Sequence, residues 1–298
     1  MLSILIPTYN YHCVALVSDL HQQAERLEIK YEILVADDGS DEQFKIKNRI
    51  INQLSHCKYI ELEENIGRAR IRNFLGRTAQ YDYLLFMDCD AEVMNRDFIR
   101  NYIEAKGCGK VIYGGLAHPK KLPSPEYSLA YKYEKNAEPR NTPEKRRLQP
   151  YKVFRTFNFM IERLTFLQHQ FDETITRYGH EDTLFGKSLQ EDGITIAHID
   201  NPLLNNGLDN NVTLLQKTEE SLNTLYDLME KVGESSGVVK AYRMIRKWRM
   251  DGLAAFMFRH CRKCIHQQLT GKHPSLYLFA FYKLGYFSML CKNKAVTD

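Results

Sequence analysis

The run Leu84-Leu85-Phe86-Met87 ends abruptly in Asp88-Cys89-Asp90. Four consecutive apolar residues bounded by polar ones fit a buried strand. Residues i and i+2 of a strand project to the same side, so Asp88 and Asp90 are expected to converge at its C-terminal edge. That edge is where open α/β sheets bind ligands. Hard carboxylate oxygens suit Mg²⁺ or Mn²⁺, ions that commonly arrive with phosphate. A strand running out into an acidic turn has the same letters, so the pair needs support from the rest of the chain.

That support is directional. Leu2 to Pro7 reads as a strand leaving into Thr8-Tyr9-Asn10, and Val14, Leu16, Val17 and Leu20 follow at helical spacing. Tyr31 to Ala36 reads as a second strand, ending in Asp37-Asp38-Gly39-Ser40-Asp41, where Ser40 or Asp41 could cap a helix over Glu42 to Leu54. A third strand, Tyr59 to Leu62, runs into Glu64-Asn65-Ile66-Gly67 and then a helix carrying Ile71, Phe74 and Leu75. After Asp90 come a helix near Asn95 to Ala105 and a strand over Lys110 to Tyr113. Strand and helix alternate with short connections, which predicts right-handed crossovers and a mainly parallel sheet flanked by helices. The polar, chemistry-bearing residues all fall at one end of these strands.

Beyond this point the pattern changes. Residues 118–150 hold Pro119, Pro123, Pro125, Pro139, Pro143 and Pro150 among many charges, which predicts a long, partly mobile loop over the site. Lys152 to Met160 reads as strand, Tyr178-Gly179-His180-Glu181-Asp182 leads into a helix with Leu184, Phe185 and Leu189, and Ile194 to Ile199 reads as a last strand. From Leu214 the pattern is helical to the end, broken at Gly233 to Gly237.

Bulk properties bound the class. At 298 residues, 44% hydrophobic and 26% charged, the chain has the composition of a globular protein. The net charge of +4 conceals a split: Lys240 to Asp298 holds 12 basic and 2 acidic residues, whereas Met1 to Val239 holds 29 and 35. A basic tail on an acidic body points to an anionic partner for the tail. The seven scattered cysteines are not a disulfide framework and suit a reducing, cytoplasmic setting. The only N-terminal apolar run, Ile4-Leu5-Ile6, stops at Pro7, so neither a signal peptide nor a spanning helix is expected.

Six ordered motifs resemble glycosyltransferase family 2, inverting enzymes with the GT-A fold, over Met1 to about Asp200. They are Ile4-Leu5-Ile6-Pro7-Thr8-Tyr9-Asn10, Val35-Ala36-Asp37-Asp38-Gly39-Ser40, and Asn65-x-Gly67 leading to Arg72-Asn73. Asp88-Cys89-Asp90, Phe171-Asp172-Glu173 and Gly179-His180-Glu181-Asp182 complete the set. The resemblance implies a GT-A type, Rossmann-like catalytic domain over 1–213 and a helical extension over 214–298. It implies transfer of a sugar from a nucleotide sugar, with UDP favoured, to an acceptor hydroxyl in polysaccharide, lipopolysaccharide or glycolipid assembly. Pro7, Thr8, Tyr9, Asp37, Gly67, Arg72 and Asp88 would hold the donor nucleotide, and Gly179, His180 and Glu181 would meet acceptor or donor sugar.

Under the same resemblance Asp90 would bind Mn²⁺ or Mg²⁺, with Asp88 and Asn205 as further candidates, and Asp182 would be the catalytic base. Asn205 is a departure, because relatives often carry a histidine there. Arg68, four residues before Arg72, reads as a solvated side chain, and His198 as a structural one. His260-Cys261-Arg262-Lys263-Cys264-Ile265-His266 falls on one helix, which cannot readily wrap a zinc ion tetrahedrally.

The tail has two readings. Lys240 to Lys272 interleaves nine basic residues with aromatics, and Leu276 to Cys291 is aromatic and apolar. Segment 240–291, with Trp248, Phe256, Tyr277 and Phe279 as anchors, could meet an anionic membrane at the inner face of the cytoplasmic membrane and bring the site to a lipid-linked acceptor. It could equally pack as a helical subdomain. No nucleic-acid partner is expected. Two other functions fit parts of the pattern: a nucleotidyltransferase making nucleotide sugars, and a non-catalytic nucleotide-sugar-binding protein. The first would want a glycine-rich, basic loop after the first strand, where Thr8-Tyr9-Asn10-Tyr11 stands.

Overall fold

The computed structural model describes residues 1–233 and 235–294. Glu234, within the expected break, and residues 295–298, the end of the expected helical tail, lie outside the described residues. In chain order the elements begin β1 (Leu2–Thr8), α1 (Val14–Arg26), β2 (Tyr31–Asp37), α2 (Glu42–Asn48), β3 (Cys57–Glu61), α3 (Arg68–Thr78) and β4 (Tyr83–Met87). They continue with β5 (Ala91–Glu92), α4 (Phe98–Glu104), β6 (Val111–Tyr113), β7 (Leu116–Ala117), α5 (Ser128–Ala137), α6 (Pro143–Arg147) and β8 (Asn158–Glu162). Then come α7 (Arg163–Gln168), α8 (Glu181–Glu191), β9 (Ile196–His198), β10 (Leu203–Asn205) and α9 (Asn211–Asp227). The last are α10 (Met229–Val232), α11 (Gly237–Lys247), α12 (Asp251–Thr270) and α13 (Leu276–Lys294).

The chain divides into two compact units. The first comprises Met1–His118, Glu138–Thr176 and Glu181–Gly207, and the second Pro119–Ala137, Arg177–His180 and Leu208–Asp298. In the first, a seven-stranded sheet runs β3-β2-β1-β4-β8-β6-β9. It is parallel except at β8, which lies antiparallel to both β4 and β6. Leu2, Ile4, Ile6, Ile33, Val35 and Leu85 face one side and pack with α1 and α4, while Leu5, Leu34, Leu84 and Phe86 face the other with α3, α7 and α8. The apolar runs are therefore continuous because each face has its own helical layer. Each large side chain so buried contributes about 1.5–3 kcal/mol. Strand order reverses at β1, whose neighbours are β2 and β4, and this switch point brings the ends of β1 and β4 side by side. A small sheet, β5-β10-β7, stands beyond the end of β4.

Three expectations need correction. Residues 118–150, expected to be one long, partly mobile loop, instead contain α5, α6 and two 3-10 turns. Pro125 opens a 3-10 turn and Pro143 opens α6, positions where the missing N–H costs nothing and the fixed φ favours a helix start. The strand expected from Lys152 starts only at Asn158, preceded by turns. Ile194 to Ile199 is not the last strand, since β10 follows and pairs antiparallel with β5 and parallel with β7.

In the second unit α9, α11 and α12 all pack on α13. Phe279, Tyr282, Tyr286 and Phe287 of α13 are buried, so the aromatic stretch from Leu276 forms the centre of this unit. Phe279 is thus unavailable as a lipid anchor, whereas Trp248 and Phe256 are exposed. Among the described residues no helix is long and apolar enough to cross a membrane.

Candidate active site

Strand β4 stops at Met87, and Asp88 to Ala91 form a turn in which Ala91 N–H donates to the Asp88 carbonyl. The two carboxylates therefore do not share a strand face, and each has its own surroundings. Asp88 Oδ1 accepts from Arg72 Nη2 at 2.5 Å, and Arg68 Nη2 lies 3.7 Å from Asp88 Oδ2. Arg72 is almost fully buried, and Asp88 is the counter-charge that offsets its burial. Asp90 faces the chain after β10. Asn206 N–H donates to the Asp90 carbonyl, and a Cβ placed on Gly207 would sit 1.7 Å from Asp90 Oδ2. Asn205, paired with Ala91 across β5 and β10, accepts from Gly207 N–H through Oδ1 at 2.8 Å.

The loops after β1 and β2 are stitched together beside this turn. Asp38 N–H donates to the Thr8 carbonyl, Asn10 N–H to Ser40 Oγ and Asp41 N–H to Asn10 Oδ1. Ser40 is thus a brace rather than a helix cap, and Asp41 occupies the N-cap position of α2 without a capping bond. Gly39 has φ 74°, and a Cβ there would meet the backbone of Glu64 and Asn65 at 2.6–2.7 Å, so only glycine fits. Asp38 accepts from the N–H groups of Ile66 and Gly67 at 2.7 and 3.1 Å, fixing the entry to α3. Gly67 N–H is consequently engaged, and Gly67 is the N-cap of α3 with φ 91°.

Asp37, expected at the nucleotide, is fully buried, with Oδ1 accepting from Ser40 N–H at 2.7 Å and Oδ2 from the Tyr59 hydroxyl. Burial and the Asp37 charge push the Tyr59 phenol up, which keeps it a donor. A base contact by Asp37 has to displace one of these bonds or use a remaining lone pair. Thr8 is buried, and Tyr9, at 53% exposure, is the loop residue that presents itself outward.

Asp182 lies in the first turn of α8. Its Oδ1 accepts from Thr156 Oγ1 at 2.7 Å and its Oδ2 from Thr156 N–H at 3.3 Å. The next residue, Phe157, accepts from Asp88 N–H at 3.2 Å, so Asp182 and Asp88 hang from adjacent residues. Burial first, then the neighbouring Glu181 charge, raise the Asp182 carboxyl, against Arg72 and Arg68, which pull it down. Glu181 is itself held by Arg68, whose Nε donates to Oε1 at 2.8 Å. Arg68 is therefore not simply solvated, as expected of it, but bridges the strand-end turn and the start of α8.

Residues 3–171 match the family model described as Glycosyl transferase family 2. The chain belongs to that family. Among relatives of this family 2 chain, chondroitin synthase of Escherichia coli is 32% identical over 104 residues, 35% of this chain and 15% of that protein. An uncharacterized glycosyltransferase of Haemophilus influenzae is 34% identical over 104 residues, 34% of this chain and 38% of that protein. The chain thus matches well under half the length of these relatives.

Mannosyltransferase PcManGT from Pyrobaculum calidifontis, solved with GDP-Man and Mn²⁺, is similar in fold at TM-score 0.60, with 11% identity over 100% of this chain and 88% of its own. Staphylococcal TarS 1–349 (S. aureus), solved with UDP-GlcNAc, is similar at TM-score 0.50, with 15% identity over 99% and 92%. At such identities the likeness concerns the fold, which is of the GT-A type.

For a family 2 chain the donor set at Asp90 is a relevant test. Among the described residues no group of three or more His, Cys, Asp or Glu is placed to hold a metal ion. Mg²⁺ and Mn²⁺ sites do not need one, because such ions take one or two carboxylates and fill their shell from substrate phosphates and water. The Asp90 carboxylate and the Asn205 amide oxygen are both hard donors, and Asn205 pairs with Ala91, the residue after Asp90, across β5 and β10, so the residue types suit such an ion.

Gly179 and His180 belong to the second unit, where both take left-handed backbone, φ 100° and 71°, and His180 Nε2 lies 3.3 Å from Ser221 Oγ. His198 is buried, with Nε2 3.1 Å from the Pro150 carbonyl, and burial lowers it to about 4. The His260 to His266 cluster lies along the single helix α12.

Several residues of the site were not legible beforehand. Asn48 is fully buried in α2, donating to the Tyr11 carbonyl and accepting from Cys13 N–H, so it holds the loop after β1. Thr156 and Tyr59 act in the same supporting way. An asparagine in a short charged helix gives little sign of this, since its partners lie 35 and 37 residues away.

Proposed function

We propose that this family 2 chain is an inverting glycosyltransferase that moves a sugar from a nucleotide sugar, UDP-linked, to an acceptor hydroxyl on a glycan or lipid-linked acceptor. The observation that carries the reading is the pairing of Asp182 with Thr156 beside Phe157, the residue that receives Asp88 N–H. It ties a proton acceptor to the strand-end acids that mark the donor side.

The chemistry asked of the chain is one in-line displacement. Asp182 takes the proton from the attacking hydroxyl, and its raised affinity for a proton makes it a better base than an ordinary carboxylate. Thr156 fixes both of its oxygens, which aims the remaining lone pairs. Pro7 and Thr8 at the end of β1 and Tyr9 just after it hold the nucleotide, with Asp37 at the base or bracing the following loop. Gly67 delivers the start of α3, with Arg72 behind it, to the diphosphate, where the positive end of the helix dipole favours anions. Asp88 orients Arg72 and reaches the ribose. Asp90, with Asp88 and Asn205 as further oxygen donors, would hold Mn²⁺ or Mg²⁺, which when bound offsets the charge gathering on the leaving diphosphate. Gly179, His180 and Glu181 run directly into Asp182 and are assigned to the sugar substrates. The setting is cytoplasmic, at the inner face of the membrane where the acceptor is lipid-linked.

The test is thermal unfolding against a panel of nucleotide sugars, with and without Mn²⁺. One donor at about a hundred times its Kd stabilises by about 2.7 kcal/mol, or several degrees for a chain of this size. No shift with any donor in the presence of Mn²⁺ contradicts the reading.

A further inference from the structure

We infer that the corner between α11 and α12 is a docking surface for an anionic lipid bilayer. It names the surface that would make the membrane contact given in the proposed function, and its observations lie outside the catalytic site.

The corner exposes apolar side chains that a globular surface normally covers. Met244, Trp248, Met250, Leu253, Phe256 and Met257 are each between 46% and 73% exposed. Met244 on α11 and Trp248 at its C-cap are four apart, and Leu253, Phe256 and Met257 share one face of α12 by their spacing. The opposite side of the same helices is buried through Val239, Tyr242, Ala255 and Phe258, so the exposed row is the outer face of a packed pair.

Charge selects the partner. Lys240, Arg246, Lys247, Arg249, Arg259 and Lys263 are exposed around the apolar row. The sole acid between Lys240 and Lys263, Asp251, is 6% exposed and paired with Lys292 at 2.8 Å. The surface therefore shows positive charge and no exposed carboxylate from its own segment. Long cationic side chains around apolar anchors match lipid headgroups over acyl chains.

The turn that ends α11 has a strained position on this surface. Arg249 N–H donates to the Arg246 carbonyl and Met250 N–H to the Ile245 carbonyl, closing α11 with a Schellman turn whose left-handed position is Arg249, φ 57°. Glycine is the usual residue there, and an arginine is strained. The strain is tolerated at the one residue that carries a charge between Trp248 and Met250.

Trp248 is the only tryptophan, so its fluorescence reports this surface directly. The full chain is mixed with vesicles of phosphatidylcholine alone, or with about one-third phosphatidylglycerol, and tryptophan emission and co-sedimentation are followed. We expect a blue shift and sedimentation with anionic vesicles only, partly reversed by salt. Arg249→Gly relieves the turn, so its Tm should not fall, yet its partitioning should drop roughly fivefold. Phe256→Ser should lower the fraction that salt does not remove. Equal binding to neutral vesicles, no shift with anionic ones, or unchanged partitioning of Arg249→Gly overturns the inference. A blue shift without vesicles that accompanies self-association also overturns it, by assigning the surface to a second copy of the chain.

Discussion

Arg68 donates from Nε to Glu181 Oε1 at 2.8 Å across 113 residues of sequence. Its guanidinium also lies 3.7 Å from Asp88, so one side chain links the end of β4 to the start of α8. Because Arg68 lowers and Glu181 raises the Asp182 carboxyl, removing the arginine leaves Asp182 easier to protonate. A base works only when deprotonated, so activity is lost as pH falls through its pKa. Arg68→Ala should therefore move the acidic limb of kcat/KM toward higher pH, as read from a pH profile of the free enzyme.

Asp182→Asn tests the proposed role of Asp182 as base. Asparagine keeps the shape and can still meet Thr156, so kcat should fall roughly 10²–10⁴-fold with little change in donor affinity. Stability should move the other way. A carboxyl whose pKa is raised on folding binds its proton more tightly in the folded chain, so its contribution is unfavourable above that pKa and eases as pH drops through it. Near neutral pH the asparagine variant should match or exceed the parent in Tm; a collapse in Tm would assign Asp182 a structural role instead.

Asp90→Ala should remove metal-stimulated turnover, on the order of 10³-fold, by losing leaving-group stabilisation. Full activity of this variant in EDTA would end the assignment.

Gly207→Ala probes the same carboxylate without changing it. The added Cβ falls 1.7 Å from Asp90 Oδ2, the far end of a side chain that can rotate away. Tm should change little while the Mn²⁺ concentration needed for donor-induced stabilisation rises about tenfold or more, a shift of about 1.4 kcal/mol. Unaltered Mn²⁺ dependence would show that Asp90 does not need its observed position.

Gly76→Ala is the contrasting case. Its Cβ would strike the Phe166 ring at 2.1 Å, and that buried ring packs at tilted angles against Phe86, Phe171 and Phe185. Overpacking of this kind costs about 1–3 kcal/mol. Thermal unfolding should show a Tm lower by several degrees, with metal dependence unchanged.

The parts of the chain that were legible share a physical reason. β1, β2 and β4 are buried on both faces, so each announces itself as an apolar run, and the polar letters at their ends mark where burial stops. Arg68 was misread because helical spacing says which side of α3 a residue occupies but not what stands opposite it. The prolines of 118–150 suggested a loop, yet Pro125 and Pro143 begin helical turns, and composition alone does not separate a helix breaker from a helix starter. Asp88 and Asp90 were expected to share a strand face; the turn at Met87 ends that periodicity and gives Asp88 to the arginines and Asp90 to Gly207.

The most direct measurement is the anomeric configuration of the first-formed sugar product, followed by proton NMR as the chain acts on a nucleotide sugar with Mn²⁺ present. A single displacement with Asp182 as base yields the inverted anomer before mutarotation, and the signal should be lost in Asp182→Asn. A retained anomer, or turnover that survives in Asp182→Asn, would contradict the account.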